Sequence, residues 1–362
     1  MERSKYVSTE NLNITYLFGA GSSFNSVPIW NKQGETMILI GEWVNSLILN
    51  VELNRDKDLK VLFKNSTIKR TGDKLIELGY KALEFGTLDI YARSLFLLDE
   101  KEKLNNLKYH LRVYFDIWEN FYYKKSLINK EKRYSKIDKR YYSLLSVLLE
   151  KGKLNPELNS NVSFVSWNYD LQLENSFRSF MRGSENTNLE SVNKYFNFFE
   201  SNENQDIIHL NGFRGFFNCD KKLYPNVEPK FLNTIEDYLF GLLNNSNQFS
   251  SIDYSNNIKY AWETNSEALS SAIEVFEKTN ILIVIGYSFP SYNRLIDSRL
   301  ITSLGSKAIN KGIKEVIYQN PNANLDLIKN ICGVKPVHFQ NTDQFYIPHE
   351  FLFPQKAPEM FF

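Results

Sequence analysis

Asn168 and Asp170 stand two residues apart in Ser166-Trp167-Asn168-Tyr169-Asp170, directly after the β-prone run Val162–Val165. In extended backbone two such side chains point the same way. A carboxamide there orients a water or a hydroxyl, and a carboxyl group meets an amide; an Asx turn capping the next helix uses the same residues. The spacing recurs in His209-Leu210-Asn211-Gly212, at the end of Asp206–Leu210. Imidazole changes charge near neutral pH and suits proton transfer, although a lone histidine is more often structural. Gly19-Ala20-Gly21-Ser22-Ser23 follows the apolar run Ile14–Phe18 without a gap. Two glycines let main-chain amides approach a phosphate, and serines that open a helix sit where free amides and the dipole favour anions. A plain tight turn has the same composition. Gly286 and Ser288 break away from the apolar run Ile281–Ile285, and Asn320 follows Glu315–Tyr318.

These residues share a context. Each polar or glycine-rich cluster closes a short apolar run, and after Asp170 such runs alternate with helical patterns near 171, 266–278, 292–297 and 325–331, ending in a strand at Val337–Phe339. That alternation predicts an α/β fold with a doubly wound, mostly parallel sheet and helices on both faces. Ligands of such sheets bind beyond the carboxyl ends of the strands, where all the clusters lie. Between Gly34 and Leu154 apolar residues instead recur at helical spacing, as in Leu107, Leu111, Tyr114 and Trp118. The stretch is too long for a simple strand-to-strand crossover. The expected organisation is a core of residues 1–33 and 155–345, an inserted, mainly helical domain over 34–154, and an aromatic C-terminal tail over 346–362. Residues from Phe213 to Tyr260 read as an irregular excursion.

Composition narrows the function. The 362 residues carry a formal net charge of +1, so no global field draws nucleic acid or an anionic membrane. A local basic run, Lys124–Arg140, reads as a solvated helix face or, alternatively, a nucleic-acid or partner contact. Cys219 and Cys332 are the only cysteines; they form no zinc-site spacing, and their scarcity suits a reducing cytoplasm. No apolar run reaches the length of a membrane span, and Met1–Glu10 lacks a signal-peptide core. A hydride-transfer enzyme is disfavoured, because Phe24 holds the place of the third glycine of the dinucleotide fingerprint.

Taken in order, GAG-S-S, S-W-N-Y-D, H-L-N-G and G-Y-S-x-P resemble the motifs of the sirtuin-like domains of bacterial anti-phage systems. The resemblance covers about residues 14–28 and 162–339. It implies a Rossmann-like core that binds NAD as substrate. By resemblance, Gly19, Ala20, Gly21 and Ser22, with Ser23, cradle the pyrophosphate; Asn168 holds the attacking water or the ribose; Asp170 meets the nicotinamide amide; Gly286 and Ser288 close on the phosphates or ribose; and Asn320 contacts the adenosine ribose. Asn211 and Gly212 take the place of the family's histidine–glycine pair.

Two departures matter. The family's catalytic histidine stands immediately before the glycine, where this chain has Asn211; His209 lies on the same strand face, about 6–7 Å away. Either residue can serve the ribose, but only His209 titrates. The four-cysteine zinc module of the deacylating sirtuins is missing. The expectation is therefore hydrolysis of NAD to nicotinamide and ADP-ribose, with catalytic Asn168, His209 and Asp170, no metal, and NAD depletion in anti-phage defence as the role. A non-catalytic NAD or ADP-ribose sensor is the alternative, and a protein deacylase is disfavoured. The resemblance further implies a homo-oligomer and a ring-forming, translocase-type ATPase as a candidate partner, with the tail or helical region at the interface.

Overall fold

The computed structural model describes residues 12–53, 66–122, 134–184, 187–199, 205–215, 235, 238–239, 258–263, 267–308, 313, 315–321 and 325–349. Within them the strands are β1 (Ile14–Phe18), β2 (Leu149–Glu150), β3 (Glu157–Leu158), β4 (Val162–Ser166), β5 (Ile207–His209), β6 (Ile281–Ile285), β7 (Glu315–Gln319) and β8 (Val337–Phe339). β2 and β3 form a small antiparallel pair. The others form one parallel sheet in the order β5-β4-β1-β6-β7-β8. Every residue of β1 and β6 is buried, as strands covered on both faces require.

The chain moves outward from β1 through β4 to β5, then returns to the other side of β1 and moves outward again through β6, β7 and β8. This is the Rossmann-type doubly wound order, and its switch point lies between β1 and β6. In sheets of this order the ligand crevice lies at that point, where loops from neighbouring strands leave toward opposite faces.

The helices of the described residues are α1 (Trp30–Leu53), α2 (Ser66–Phe85), α3 (Leu88–Leu97), α4 (Lys101–Ile117), α5 (Lys139–Leu148), α6 (Gln172–Arg178), α7 (Leu189–Asn193), α8 (Glu267–Lys278), α9 (Arg294–Ser303) and α10 (Leu325–Cys332). α5, α6 and α7 cover the sheet face formed by Tyr16, Phe18, Phe164 and Ile283. α8, α9 and α10 cover the opposite face, formed by Leu17, Val165, Val284 and Val316. The alternation of these residues along each strand is what assigns them to two layers.

α1 to α4 build a further apolar cluster around Met37, Ile40, Leu75, Leu107 and Trp118, which also takes in Tyr169 and Tyr260. α1 and α2 meet at glycines: a Cβ on Gly41 would lie 2.5 Å from the Gly72 carbonyl, and one on Gly79 would lie 2.7 Å from the Gly34 carbonyl. α5, by contrast, packs Tyr141, Leu144 and Leu148 into the sheet's own core. No helix of the described residues is long and apolar enough to cross a membrane.

Of the aromatic C-terminal segment, residues 350–362 lie outside the described residues. Phe345 and Tyr346 are strapped onto the sheet. Phe345 packs tilted against Phe18 and edge-on against Tyr141, and the Tyr346 amide donates to Gln319 Oε1 over 3.0 Å.

Candidate functional site

The sheet register explains why the separate motifs meet. Phe18 pairs with Ser166 and with Ile285, Ser166 pairs with His209, and Ile285 pairs with Gln319. These pairs form one line across the sheet. The residues just beyond it, including Gly19, Asn168, Asn211, Gly286 and Asn320, therefore leave the strands at one level.

The turn after β1 is a 3₁₀ segment, Ala20–Ser23. Ala20 is exposed at its tip, whereas Ser22 and Ser23 are buried. Its glycines are needed for close approach: a Cβ on Gly21 would lie 2.8 Å from Gly286 Cα. The Gly19 amide donates to the Ile285 carbonyl over 3.0 Å, and the Gly21 amide donates to the Gly286 carbonyl over 2.9 Å. The Ser22 amide donates to the Gly19 carbonyl over 2.9 Å. These three amides, expected at a phosphate, bond within the protein. Gly286 has φ +62° and Phe289, in the same loop, φ +52°, so two left-handed residues shape this loop, which packs against the glycine turn. Ser288 is exposed on it.

Asn168 is buried at the end of β4. Its Nδ2 donates to Ser22 Oγ over 3.0 Å and to Ser23 Oγ over 3.4 Å. Ser23 Oγ in turn donates to Asp170 Oδ1 over 2.9 Å. The two side chains thus meet at Ser23, although β4 ends at Ser166 and Tyr169–Asp170 form a bend, so the turn rather than the extended backbone expected of them brings them together. Asp170 Oδ1 also accepts from the Gln172 amide over 3.2 Å, so the same carboxyl shapes the turn into α6. Of the alternatives open in the sequence, this contact realises the Asx turn that caps the following helix. Burial, and secondarily the charge of Glu119, push the Asp170 carboxyl up to about 7, which places its proton exchange close to neutrality.

His209 and Asn211 both reach the main chain around Asn168. His209 Nδ1 lies 3.2 Å from the Asn168 carbonyl, and Nε2 lies 2.7 Å from Glu174 Oε1. Asn211 Nδ2 donates to the Trp167 carbonyl over 3.5 Å, while its Oδ1 is buried and has no hydrogen-bond partner. Gly212, with φ +66°, turns the chain away. Asn320 is tied to the far side of the crevice by its Nδ2, 3.2 Å from the Tyr318 hydroxyl and 3.4 Å from the Tyr287 carbonyl. Gly19–Ser23, Asn168, Asp170, His209 and Asn211 are thus linked by contacts, Gly286 touches them through Gly21, and Asn320 bonds the Tyr287 loop, Tyr318 and His338.

Several residues of this region are not legible as site residues in the sequence. Arg140 belongs to the basic run that reads as a solvated face, yet it is buried; Lys136 and Lys139 are exposed, and Lys124–Arg133 lie outside the described residues. The Arg140 guanidinium bonds Asp138 and donates through Nη2 to the Ser22 carbonyl over 2.9 Å, so it holds the glycine turn from beneath. The Tyr141 hydroxyl donates to Ser22 Oγ over 2.9 Å. Glu119, from the π-helical turn Trp118–Tyr122, accepts from Gln172 Nε2 over 2.9 Å and pairs with Arg214. Arg214 also pairs with Asp116 over 3.0 Å. This buried network fastens α4 to the β4 and β5 loops. A charge near an amphipathic helix reads as surface in one dimension; only its partners reveal that it is interior.

Cys219 lies outside the described residues. Among the described residues no group of three His, Cys, Asp or Glu could hold a metal ion. His110, which carries no motif, is buried and bonded to the Asn106 carbonyl over 2.8 Å; burial pulls it down to about 4. Comparison with protein families, with characterised proteins and with solved structures yields no match.

Proposed function

We propose that this chain hydrolyses NAD to nicotinamide and ADP-ribose. The observation that carries the reading is the Ser22–Asn168–Asp170 cluster: a buried carboxamide and a carboxyl poised near neutrality, hydrogen-bonded to the glycine turn beside the switch-point crevice. Dinucleotides bind in that crevice in this sheet order. The order of the motifs supplies the reaction class.

The chemistry asks little of a proton donor. As the bond from ribose C1′ to the pyridinium nitrogen breaks, its electron pair neutralises the ring, and nicotinamide leaves uncharged. Water bonds to C1′ and gives a proton to solvent. The protein's contribution is then position and charge stabilisation. In this reading Asn168 orients the water or ribose, Asp170 engages the carboxamide, and the end of β5 serves the ribose. Because the Gly19, Gly21 and Ser22 amides bond internally, pyrophosphate binding falls to the exposed tip at Ala20 and to Ser288, or follows opening of the Gly286 loop. NAD depletion during phage infection by an oligomer of this chain, with or without a ring-forming ATPase, is the role that the family resemblance adds.

Incubating the purified protein with NAD and following nicotinamide release tests the reading. Release above background that Asn168→Ala abolishes supports it. Binding without release by both proteins turns the chain into a sensor of NAD or ADP-ribose, and neither binding nor release removes the proposal.

A further inference from the structure

We infer that Glu174 and His209 form a positioning pair for the Asn168 main chain, and that Asn211, rather than His209, is the substrate contact from β5. This deepens the NAD-cleaving reading and rests on it.

The imidazole has no nitrogen to spare. The Asn168 carbonyl, 3.2 Å from Nδ1, can only accept, so Nδ1 carries a hydrogen. The contact of Nε2 with Glu174 Oε1, at 2.7 Å, then holds one proton, either on the ring or on the carboxyl. In both arrangements the two ring nitrogens are engaged. A general base needs a lone pair within hydrogen-bond reach of the proton it removes, and none is left here. The ring is buried, with the Phe213 ring centroid 5.3 Å away. Glu174 Oε2 is buried without a partner, so the imidazole is the group that compensates this carboxyl. The pair therefore belongs to the framework that places Asn168.

Asn211 is the complement. It is 7% exposed, and its Nδ2 grips the Trp167 carbonyl, one peptide before the carbonyl held by His209. Its Oδ1 accepts nothing. A buried acceptor without a donor is unfavourable, and a ribose hydroxyl is a donor that relieves it. One side chain at the end of β5 and one two residues beyond it thus hold the main chain on either side of Asn168, while Asn211 Oδ1 stays unbonded. Hydrolysis then proceeds without a protein base: nicotinamide leaves with the bond's electron pair, and the water that bonds to the cationic C1′ gives its proton to solvent.

The test combines steady-state NAD hydrolysis with ¹⁵N spectroscopy of protein labelled in its histidine rings. Glu174→Gln is the discriminating variant: its amide donates to Nε2 of a neutral ring that keeps Nδ1–H on the Asn168 carbonyl. It is expected to lose less than about tenfold in kcat, whereas loss of a tuned base costs roughly 10²–10⁴-fold. Glu174→Ala lowers kcat further, and Asn211→Ala raises KM more than it lowers kcat. The His209 Nδ1 resonance lies in the protonated range with and without NAD. A full base-sized loss in Glu174→Gln, or an unprotonated Nδ1, overturns the inference. If the parent releases no nicotinamide, the NAD reading falls, and the ¹⁵N spectrum alone decides the role of the pair. That measurement needs no turnover and no variant to fold.

Discussion

Gly21 and Gly286 touch backbone to backbone across the switch point: a Cβ on Gly286 would lie 2.4 Å from the Gly21 carbonyl carbon, and one on Gly21 would lie 2.8 Å from Gly286 Cα. Gly286 also has φ +62°, so a side chain there meets a clash and a strained backbone together. Gly286→Ala should cost about 1–3 kcal/mol for the conformation alone, plus the repacking of the turn. Gly21→Ala should cost less, because only the contact is at stake. Thermal denaturation of the two variants ranks them, and an unchanged melting temperature for Gly286→Ala would show that the loops are not in this contact.

Asn168→Ala separates catalysis from folding. The substitution removes the bond to Ser22 Oγ, worth about 1 kcal/mol, so the protein should fold with a slightly lower melting temperature. Nicotinamide release should fall to background. Parental turnover by the folded variant removes Asn168 from the mechanism.

Stability should decline as the pH rises through neutrality. Burial raises the Asp170 carboxyl to about 7 and the Asp297 carboxyl to about 8. A carboxyl raised on folding binds its proton more tightly in the folded state. Its contribution is fully present below the ordinary carboxylate range and is lost as the pH climbs through the raised value. Each tenfold gain in proton affinity on folding corresponds to about 1.4 kcal/mol. Melting temperatures should therefore fall between pH 5 and pH 8, and Asp170→Asn, which stays neutral, should flatten that fall. An identical slope in parent and variant contradicts the assignment.

Arg214 lies 1% exposed between Asp116 and Glu119. Arg214→Met leaves Glu119 without its cation and Asp116 with only the more distant Arg112, 3.7 Å away, and breaking a buried pair in this way costs roughly 3–5 kcal/mol. Replacing Asp116 and Glu119 by apolar residues of similar size in the same chain should recover much of that loss. The midpoints of urea unfolding measure both steps; a single variant as stable as the parent would mean that the network contributes nothing.

Much of the sheet was legible along the chain. β1 and β6 run over the residues that the apolar pattern assigns to them, because a buried parallel strand needs a short apolar run and its flanking glycines and polar residues end it.

What one dimension could not supply was partnership. Nothing local sets the order β5-β4-β1-β6-β7-β8 or the register line through His209, Ser166, Phe18 and Ile285, since every apolar strand can pair with every other until the helices choose its faces. Arg140 looks like the end of a basic surface run until Asp138 and the Ser22 carbonyl enclose it. His209 looks like a free base until Glu174, from the next helix, takes Nε2. Which residues lie at strand ends, where they can meet a ligand, is written in the local pattern of the chain. Which of their atoms are already bonded is settled only on folding, because a hydrogen bond depends on distance and direction between groups far apart in the chain.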